Sequence, residues 1–249
     1  MNVVTLLHGF TQRGASWREL AGRLQLPAIL TPDLRGHGAN PIPPSEPHTM
    51  EACTADLIRL WDEAGVERTH LVGYSMGGRL ALHVATRHPH RLASLTTIGS
   101  HAGLEGTARV GRRLIDEELA TRIETEGMDW FAGHWSSLPL FAGLARRGPE
   151  FVARVEADRR RNRPEGLAAS LRGMGPGAAP PVWEDLGVIA CPSLFIAGEL
   201  DSGYPEHARR MAAAVPAGRA LIVAGAGHST HLEDPEAVAA AIAPHLSDR

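Results

Sequence analysis

Short apolar segments alternate with amphipathic segments along the chain. Val3–Leu7 is an unbroken, β-branched apolar run, which is typical of a strand buried on both faces. An amphipathic helix is predicted from Ser16, a candidate N-cap, to Leu24, and a second strand over residues 28–31. The same alternation predicts helices over residues 51–64, 76–88 and 235–246, and strands over residues 69–72, 92–98, 193–197 and 220–223. This order predicts an α/β fold with a mostly parallel, doubly wound sheet that binds ligands at the carboxyl ends of its strands.

Residues 103–183 interrupt this alternation. They carry no strand pattern, and Gly and Pro separate amphipathic stretches that are rich in Arg and Glu. We therefore expect one core domain formed by residues 1–102 and 184–249, with residues 103–183 inserted as a helical lid. Carboxylates nearly match the arginines of this segment in number, so the segment should not be strongly basic.

The composition argues against several classes of function. The chain of 249 residues is 43% apolar, enough for a full core, and its net charge of -3 lacks the basic excess that nucleic-acid binding requires. Its two cysteines should be reduced and buried, and no metal or cofactor is expected. Neither a leader pattern nor an apolar run of membrane-spanning length is found, so we expect a cytoplasmic protein without membrane contact.

The strongest chemical signal is Gly73-Tyr74-Ser75-Met76-Gly77, between a predicted strand and a predicted helix. A Gly-x-Ser-x-Gly nucleophile elbow requires this setting, because its glycines permit the sharp turn that exposes the serine hydroxyl. The helix N-terminus favours negative charge that develops there. We therefore predict that Ser75 is the reactive residue of an enzyme.

A reactive serine requires an imidazole to take its proton and a carboxylate to orient that imidazole. Asp201 and His228 each follow a predicted strand, in the chain order Ser, Asp, His expected of this fold. Glu199 is the rival acid and His231 the rival base. We favour His228 because the small residues before it let a loop bring the ring over Ser75.

Two backbone N–H groups are predicted to stabilise negative charge on the reacting atoms. Phe10 follows the first strand, where this fold places one such donor, and Met76 directly follows the predicted nucleophile. The loop over residues 33–38 also lies at the carboxyl end of a strand. We interpret it as a structural turn that could touch a ligand.

Three further segments carry a more specific pattern. They are His101-Ala102-Gly103-Leu104, Leu138-Pro139-Leu140-Phe141-Ala142, and the run from Leu171 to Gly177 that continues to Pro181-Val182-Trp183. With residues 73–81, they resemble the MenH family of 2-succinyl-6-hydroxy-2,4-cyclohexadiene-1-carboxylate synthases of menaquinone biosynthesis. The wider resemblance, to the α/β-hydrolase superfamily, extends over nearly the whole chain.

The resemblance implies a lyase that needs no cofactor and forms no covalent acyl-enzyme. Ser75, backed by His228, would remove a proton, and pyruvate would leave 2-succinyl-5-enolpyruvyl-6-hydroxy-3-cyclohexene-1-carboxylate in a 2,5-elimination. The N–H groups of Phe10 and Met76 would stabilise the enolate. This substrate carries several carboxylates, and the matching substrate-binding positions are Arg79, Arg112, Tyr74, Trp135 and Arg159.

The chain departs from the family pattern at three places. Few residues precede the His8-Gly9 loop, where the family usually has one or two more strands, so the strand over residues 28–31 should be an exposed edge. We expect a monomer or a homodimer. Ala102 stands where proline is common, and Ser202-Gly203-Tyr204 stands where the family often has a charged residue followed by phenylalanine.

The sequence leaves two other functions open. A serine carboxylesterase would use the same triad through an acyl-enzyme, and its pocket would be apolar instead of lined with convergent arginines. A non-catalytic binding protein of the same fold is disfavoured because all three triad residue types are present.

Overall fold

The computed structural model describes residues 3–26 and 28–246. A parallel sheet of six strands runs through these residues in the order β2-β1-β3-β4-β5-β6. The strands are β1 (Val3–Leu7), β2 (Ile29–Leu30), β3 (Thr69–Tyr74), β4 (Leu92–Ile98), β5 (Ser193–Gly198) and β6 (Gly218–Val223). The predicted fold class is confirmed. In the described part of the chain β2 pairs with β1 alone, so it is an edge strand as expected, although it has two residues instead of four.

Helices cover both faces of the sheet. They are α1 (Arg18–Leu24), α2 (Met50–Glu63), α3 (Met76–Arg87), α4 (Gly106–Ser137), α5 (Pro149–Arg160), α6 (Pro164–Met174), α7 (Tyr204–Ala214), α8 (Thr230–Glu233) and α9 (Pro235–Ile242). One apolar layer joins the sheet to α2, α3 and α7 and includes Trp61 and Leu80. The other joins it to α1 and α9 and includes Trp17 and Ile242. Because the central strands are buried on both faces, their sequences are continuous apolar runs instead of alternating apolar and polar residues.

Two predicted helix ends are wrong for local reasons. Ser16 is not an N-cap, because it lies inside a 3-10 turn, Gly14–Trp17, where its hydroxyl accepts the N–H of Arg13 at 3.3 Å. The last helix ends at Ile242 instead of residue 246. Pro244 has no N–H to continue the helical ladder, and the chain tightens into a 3-10 turn there.

Residues 103–183, called the insertion below, contain α4, α5, α6 and the 3-10 segment Pro139–Arg147, and no strand. α4 bends at Gly127, whose φ is 78°. The insertion has an apolar cluster of its own, which includes Ile123, Phe131 and Leu167. Elsewhere, Cys53 and Cys191 are free and buried, as predicted. Within the described residues, no helix has the length and apolarity needed to cross a membrane.

Candidate active site

The turn between β3 and α3 holds Ser75 in an unusual backbone conformation. Its φ is 50° and its ψ is -109°, a positive φ that few residues other than glycine adopt. Glycines make this turn possible, since a Cβ on Gly73 would lie 2.3 Å from the Gly77 carbonyl oxygen. A Cβ on Gly77 would lie 2.2 Å from the Leu7 carbonyl oxygen. The strand, turn and helix that the Gly-x-Ser-x-Gly motif requires are therefore present.

Ser75, His228 and Asp201 form one hydrogen-bonded chain. Ser75 Oγ lies 3.1 Å from His228 Nε2, and His228 Nδ1 lies 2.7 Å from Asp201 Oδ2. The Asp201 side chain is fully buried and that of His228 nearly so. Since a carboxylate only accepts, Nδ1 carries the proton and Nε2 is left to accept the serine proton.

Close backbone contacts bring the loops of the acid and the base together. A Cβ on Gly198 would lie 2.3 Å from the Gly227 carbonyl oxygen, so the chain before Asp201 passes directly against the chain before His228. The turn after β4 also lies close to His228. Gly99 in this turn has a φ of 54°, and a Cβ on it would lie 2.9 Å from the His228 carbonyl oxygen.

The two rival residues occupy other positions. Glu199 Oε2 accepts the N–H of Gly225 at 2.8 Å and braces an exposed turn. His231 is buried between Trp17 and Tyr74, with ring centroids 4.7 and 4.2 Å away. Burial, with a smaller contribution from His228, lowers the pKa of His231 to about 3. Neither of its ring nitrogens has a hydrogen-bond partner within the described residues.

The two predicted N–H donors lie beside Ser75. Phe10 and Met76 line the same cavity as Ser75 and His228. Met76 is the first residue of α3, so its N–H has no acceptor within the helix. A Cβ on Gly9 would lie 3.4 Å from Ser75 Cβ, which shows how closely the chain before Phe10 passes the serine.

His8 fixes the backbone that leads to Phe10. Its Nε2 accepts the N–H of Leu34 at 3.0 Å, so Nδ1 carries the proton and donates to the Gly9 carbonyl oxygen at 2.9 Å. Burial lowers the pKa of His8 to about 4 and keeps the ring neutral. The loop over residues 33–38 thus supports this end of β1, and none of its residues lines the Ser75 cavity.

The Ser75 cavity has a volume of about 80 Å³. Besides Ser75, Met76 and His228, the core lines it with Phe10, Tyr74, Arg79 and Tyr204. The insertion contributes Arg112, Trp135, Leu140, Phe141, Leu171, Met174, Gly175 and Pro176. Pockets that hold a small organic ligand usually measure about 300–1,000 Å³. The Ser75 cavity is smaller than this range.

Arg79 is a buried cation without a carboxylate partner in the described structure. It is 8% exposed, and its Nη2 donates to the Met174 carbonyl oxygen at 3.1 Å, while Nε has no partner among described residues. Burial lowers the pKa of Arg79 to about 10, which leaves the guanidinium charged at neutral pH. Because an uncompensated buried charge is costly, this position favours an anionic ligand.

Two of the other predicted binding residues that line the cavity already form hydrogen bonds with neighbouring side chains. Arg112 Nε donates to Asp116 Oδ1 at 2.6 Å. The hydroxyl of Tyr74 lies 2.9 Å from Ser229 Oγ, and burial raises the pKa of Tyr74, so the phenol is neutral. Trp135 Nε1 is buried without a partner in the described residues. Two N–H groups on side chains that line the cavity, Arg79 Nε and Trp135 Nε1, therefore have no hydrogen-bond partner within the described residues.

Arg159 does not line the Ser75 cavity. It lies behind Phe141, with its guanidinium 4.8 Å from the centre of that ring, and Nη1 donates to Ser136 Oγ at 2.6 Å. It lines a neighbouring cleft of about 330 Å³. The structure thus places four of the five predicted binding residues around Ser75 and the fifth one layer away.

Two residues of the site were not predicted from the sequence. Tyr204, the first residue of α7, lines the cavity with its ring 4.8 Å from that of His228. Glu233 accepts the N–H groups of Gly227 and Ser229, on either side of His228. Tyr204 could have been suspected from its place three residues after Asp201. Nothing in the sequence singles out Glu233. In the described chain, no group of three or more His, Cys, Asp or Glu side chains is arranged to hold a metal ion.

Comparison with known proteins agrees with this geometry. The alpha/beta hydrolase family matches residues 6–241. A 2-succinyl-6-hydroxy-2,4-cyclohexadiene-1-carboxylate synthase of Salmonella agona is 31% identical over 248 residues, 98% of this chain and 93% of that protein. The structure of MenH from S. aureus superposes with a TM-score of 0.94 at 29% identity, over 98% of this chain and 93% of that chain.

An esterase is also similar. A thermophilic esterase from Thermogutta terrifontis, solved with malate bound, superposes with a TM-score of 0.87 at 28% identity and covers 99% of this chain and 89% of that chain. The fold is common to both relatives, and of the two the Salmonella agona synthase is above 30% identity to this chain and the esterase below it. The chain therefore belongs to the alpha/beta hydrolase family, and within it to the group that contains the 2-succinyl-6-hydroxy-2,4-cyclohexadiene-1-carboxylate synthases.

Proposed function

We propose that this chain is a 2-succinyl-6-hydroxy-2,4-cyclohexadiene-1-carboxylate synthase, a carbon–oxygen lyase that eliminates pyruvate from 2-succinyl-5-enolpyruvyl-6-hydroxy-3-cyclohexene-1-carboxylate. The observation that carries the proposal is Arg79, a buried guanidinium with no carboxylate partner in the described residues, in the same cavity as Ser75. A substrate with several carboxylates supplies the missing charge. A neutral ester would leave the cation buried and unpaired.

In this mechanism, His228 takes the proton of Ser75 and Asp201 holds the imidazole in the required tautomer. Ser75 oxygen then removes a proton from the carbon next to the substrate carbonyl. The resulting enolate oxygen receives the N–H groups of Phe10 and Met76. As the enolate collapses, the carbon–oxygen bond breaks, and the departing enolpyruvate oxygen takes the proton that His228 holds. Ser75 keeps the proton removed from the substrate carbon, and the released enol tautomerises to pyruvate.

Binding is assigned to donors on both sides of the cavity. Arg79 on the core side and Arg112 on the insertion side line the same space, and each guanidinium can hold a carboxylate through two N–H groups. Trp135 Nε1 is a further donor without a partner in the described structure. This set of donors suits a polyanion better than an apolar ester.

We further propose that residues 1–102 and 184–249 form the core domain and that the insertion is a lid that moves to admit the substrate. The cavity of about 80 Å³ supports this division, because eight of the residues that line it come from the insertion. Hydrogen exchange across residues 103–183 should slow when the product is added to the enzyme. Identical exchange with and without product would refute a moving lid.

A carboxylesterase is the second candidate, favoured by a specific observation. Phe10, Trp135 and Phe141 form an aromatic wall of the cavity, with ring centroids of 5.4 Å for Phe10 to Trp135 and 5.8 Å for Trp135 to Phe141. Such a wall also suits an apolar acyl group. In that case Ser75 would attack the ester carbonyl and form an acyl-enzyme.

The test measures pyruvate release from the cyclohexene precursor and hydrolysis of p-nitrophenyl acetate by the same enzyme. The variants are Ser75→Ala and Arg79→Ala, and Arg122→Ala, on the exposed surface of the insertion, is the control. Efficient pyruvate release that both test variants lose and the control keeps supports the synthase. Ser75-dependent ester hydrolysis without pyruvate release would replace it with the esterase.

A further inference from the structure

A second concave site lies outside the Ser75 cavity, where α5 meets the core. It is the cleft that Arg159 lines, called the Arg159 cleft below, and its volume is about 330 Å³. This volume lies in the range of about 300–1,000 Å³ that is usual for sites of small organic ligands. Ser75, Asp201 and His228 do not line it. The Arg159 cleft therefore has the size of a ligand site and lies apart from the catalytic triad.

Arg159 is the buried cation of this cleft. It is 5% exposed, and its Nε has no hydrogen-bond partner within the described residues. Its Nη1 donates to Ser136 Oγ, a neutral group. Burial lowers the pKa of Arg159 to about 10, so the guanidinium stays charged at neutral pH. Because a buried charge is costly without a counter-charge, the cleft favours an anion.

The carboxylates that line the cleft are already paired with other arginines. Glu19 Oε2 lies 3.0 Å from Arg147 Nη2, and Asp158 Oδ1 lies 2.6 Å from Arg13 Nη2. Neither of these two arginines lines the cleft. The arginines that do line it are Arg18, Arg154 and Arg159. None of these three forms an ion pair within the described part of the chain, so the cleft carries an excess of positive charge.

One wall of the cleft is apolar. Phe151, Val155 and Leu232 line it and pack together in one cluster. The guanidinium of Arg154 lies 4.8 Å from the centre of the Phe151 ring, so a cation stands beside this wall. An inorganic anion would leave the wall uncovered, whereas a carboxylate on an apolar body can use both the wall and the cations.

We propose that the Arg159 cleft binds a small organic anion, a carboxylate carried on an apolar body, at a site separate from that of the reacting substrate. The carboxylate accepts N–H groups of Arg159, and the exposed Arg18 and Arg154 attract it at the rim. The apolar body covers Phe151. Arg159 then serves a ligand of its own, since Phe141 stands between it and the Ser75 cavity. The inference does not rest on the choice between synthase and esterase, because the catalytic triad does not line the cleft.

The first test measures binding without turnover. Equilibrium dialysis gives the Kd of trans-cinnamate, and cinnamamide, which has the same shape without the charge, is the matched probe. We expect cinnamate to bind and cinnamamide to bind at least about fivefold more weakly, because charge-assisted hydrogen bonds are roughly twice as strong as neutral ones. Failure of the wild type to bind cinnamate, or equal binding of the two probes, would refute the proposal.

The second test locates the probe. Ala15 is exposed and lines the cleft, so Ala15→Trp fills the cleft from its edge and should abolish cinnamate binding. Arg159→Gln should raise the Kd roughly 10- to 150-fold, the usual effect of losing a charge-assisted hydrogen bond. Arg79→Gln, in the Ser75 cavity, and Arg122→Gln, on the exposed surface of the insertion, should bind cinnamate as the wild type does. If Arg159→Gln fails to fold, Ala15→Trp decides.

Binding that Arg79→Gln loses and Ala15→Trp keeps would place cinnamate in the Ser75 cavity and overturn the proposal. Turnover then tests whether the two sites are separate. Ala15→Trp should keep the kcat and KM of the wild type for whichever reaction, pyruvate release or ester hydrolysis, the wild type performs. A KM raised more than about fivefold in Ala15→Trp would make the cleft part of the substrate site and refute a separate ligand.

Discussion

The core and the insertion contribute to the same cavity in different ways. The core holds Ser75 and His228 through backbone contacts so close that glycine is required at Gly73, Gly77 and Gly198. The insertion instead supplies flexible side chains, and many of its charges pair within it, as Arg122 does with Glu126. The reactive geometry is therefore fixed by the fold itself. If the insertion moves as proposed, recognition depends on the part of the site that it supplies.

The substitution with the largest expected effect is Gly77→Ala. The new Cβ would lie 2.2 Å from the Leu7 carbonyl oxygen, so β1 or α3 must shift. We expect a loss of about 3 kcal/mol or more in the free energy of unfolding, measured by urea denaturation. Gly111, exposed in α4 with nothing within 4 Å of its Cβ position, is the matched glycine of the insertion.

Gly111→Ala should raise stability by about 0.5–1 kcal/mol, because alanine favours the helix and restricts the unfolded chain. Equal changes at the two glycines would contradict the difference between core and insertion.

The second prediction concerns Arg79→Gln. Loss of a charge-assisted contact costs about 1.5–3 kcal/mol, so KM for the carboxylate-bearing substrate should rise roughly 10- to 150-fold. The same change removes a buried cation that has no carboxylate partner in the described structure, so the melting temperature should rise. Steady-state kinetics and thermal denaturation measure both effects. KM for p-nitrophenyl acetate should stay unchanged, and an equal loss for both substrates would show that Arg79 does not select for charge.

Local sequence patterns were enough to predict that Ser75, Asp201 and His228 come together in one hydrogen-bonded chain. Ser75 lies at a junction of strand and helix that the adjacent residues predict. The glycines around it occur where backbone segments lie too close for a side chain. The order Ser75, Asp201, His228 then follows from the expected fold. The strand over residues 28–31 shortened to Ile29–Leu30 because it is an edge strand, with half-buried side chains and one neighbour in the described sheet.

The contacts around this hydrogen-bonded chain could not be predicted in the same way. Glu233 acts on residues close in sequence, but its charge is balanced by Arg146, 87 positions away. The family pattern has an arginine at the position of Arg159, and this chain has one too. The packing of α5 nevertheless places its guanidinium behind Phe141. Contacts of this kind depend on tertiary packing, and no local period or motif encodes them.

The third prediction is that a buried histidine of the core, His231, makes the stability of the protein fall at low pH. The pKa of His231 is about 3 in the folded protein, against about 6.5 in an unfolded chain. Between these values the unfolded state binds a proton that the folded state lacks, so stability falls as the pH drops, by up to about 1.4 kcal/mol per pH unit. His231→Phe should make this fall shallower between pH 6.5 and 5.

Chemical denaturation at each pH measures the slope. Glu124→Gln, which breaks an exposed ion pair with Arg172 in the insertion, is the control and should leave the slope between pH 6.5 and 5 unchanged. Parallel slopes for wild type and His231→Phe would mean that other buried histidines of the core, such as His8, carry the effect.

The smallest expected effect is that of Tyr204→Phe, which separates packing from binding at one side chain. The ring packs on His228 at 4.8 Å, and the hydroxyl makes no hydrogen bond within the described part of the chain. Burial raises the pKa of Tyr204, whereas the charges of Arg79 and Arg112 oppose that rise, which places the hydroxyl in their field. A neutral phenol there can donate to the same carboxylate that the arginines hold.

Phenylalanine keeps the packing and removes only the donor, so KM for the carboxylate-bearing substrate should rise by about fivefold, equivalent to about 1 kcal/mol, with kcat unchanged. Hydrolysis of p-nitrophenyl acetate should be unaffected. A fall in kcat at constant KM would instead mean that the hydroxyl serves the triad, and Tyr204 would then belong with the core chemistry and not with recognition. Because the family pattern has phenylalanine here, an increase confined to KM would identify this hydroxyl as a binding contact that the chain adds to the shared site.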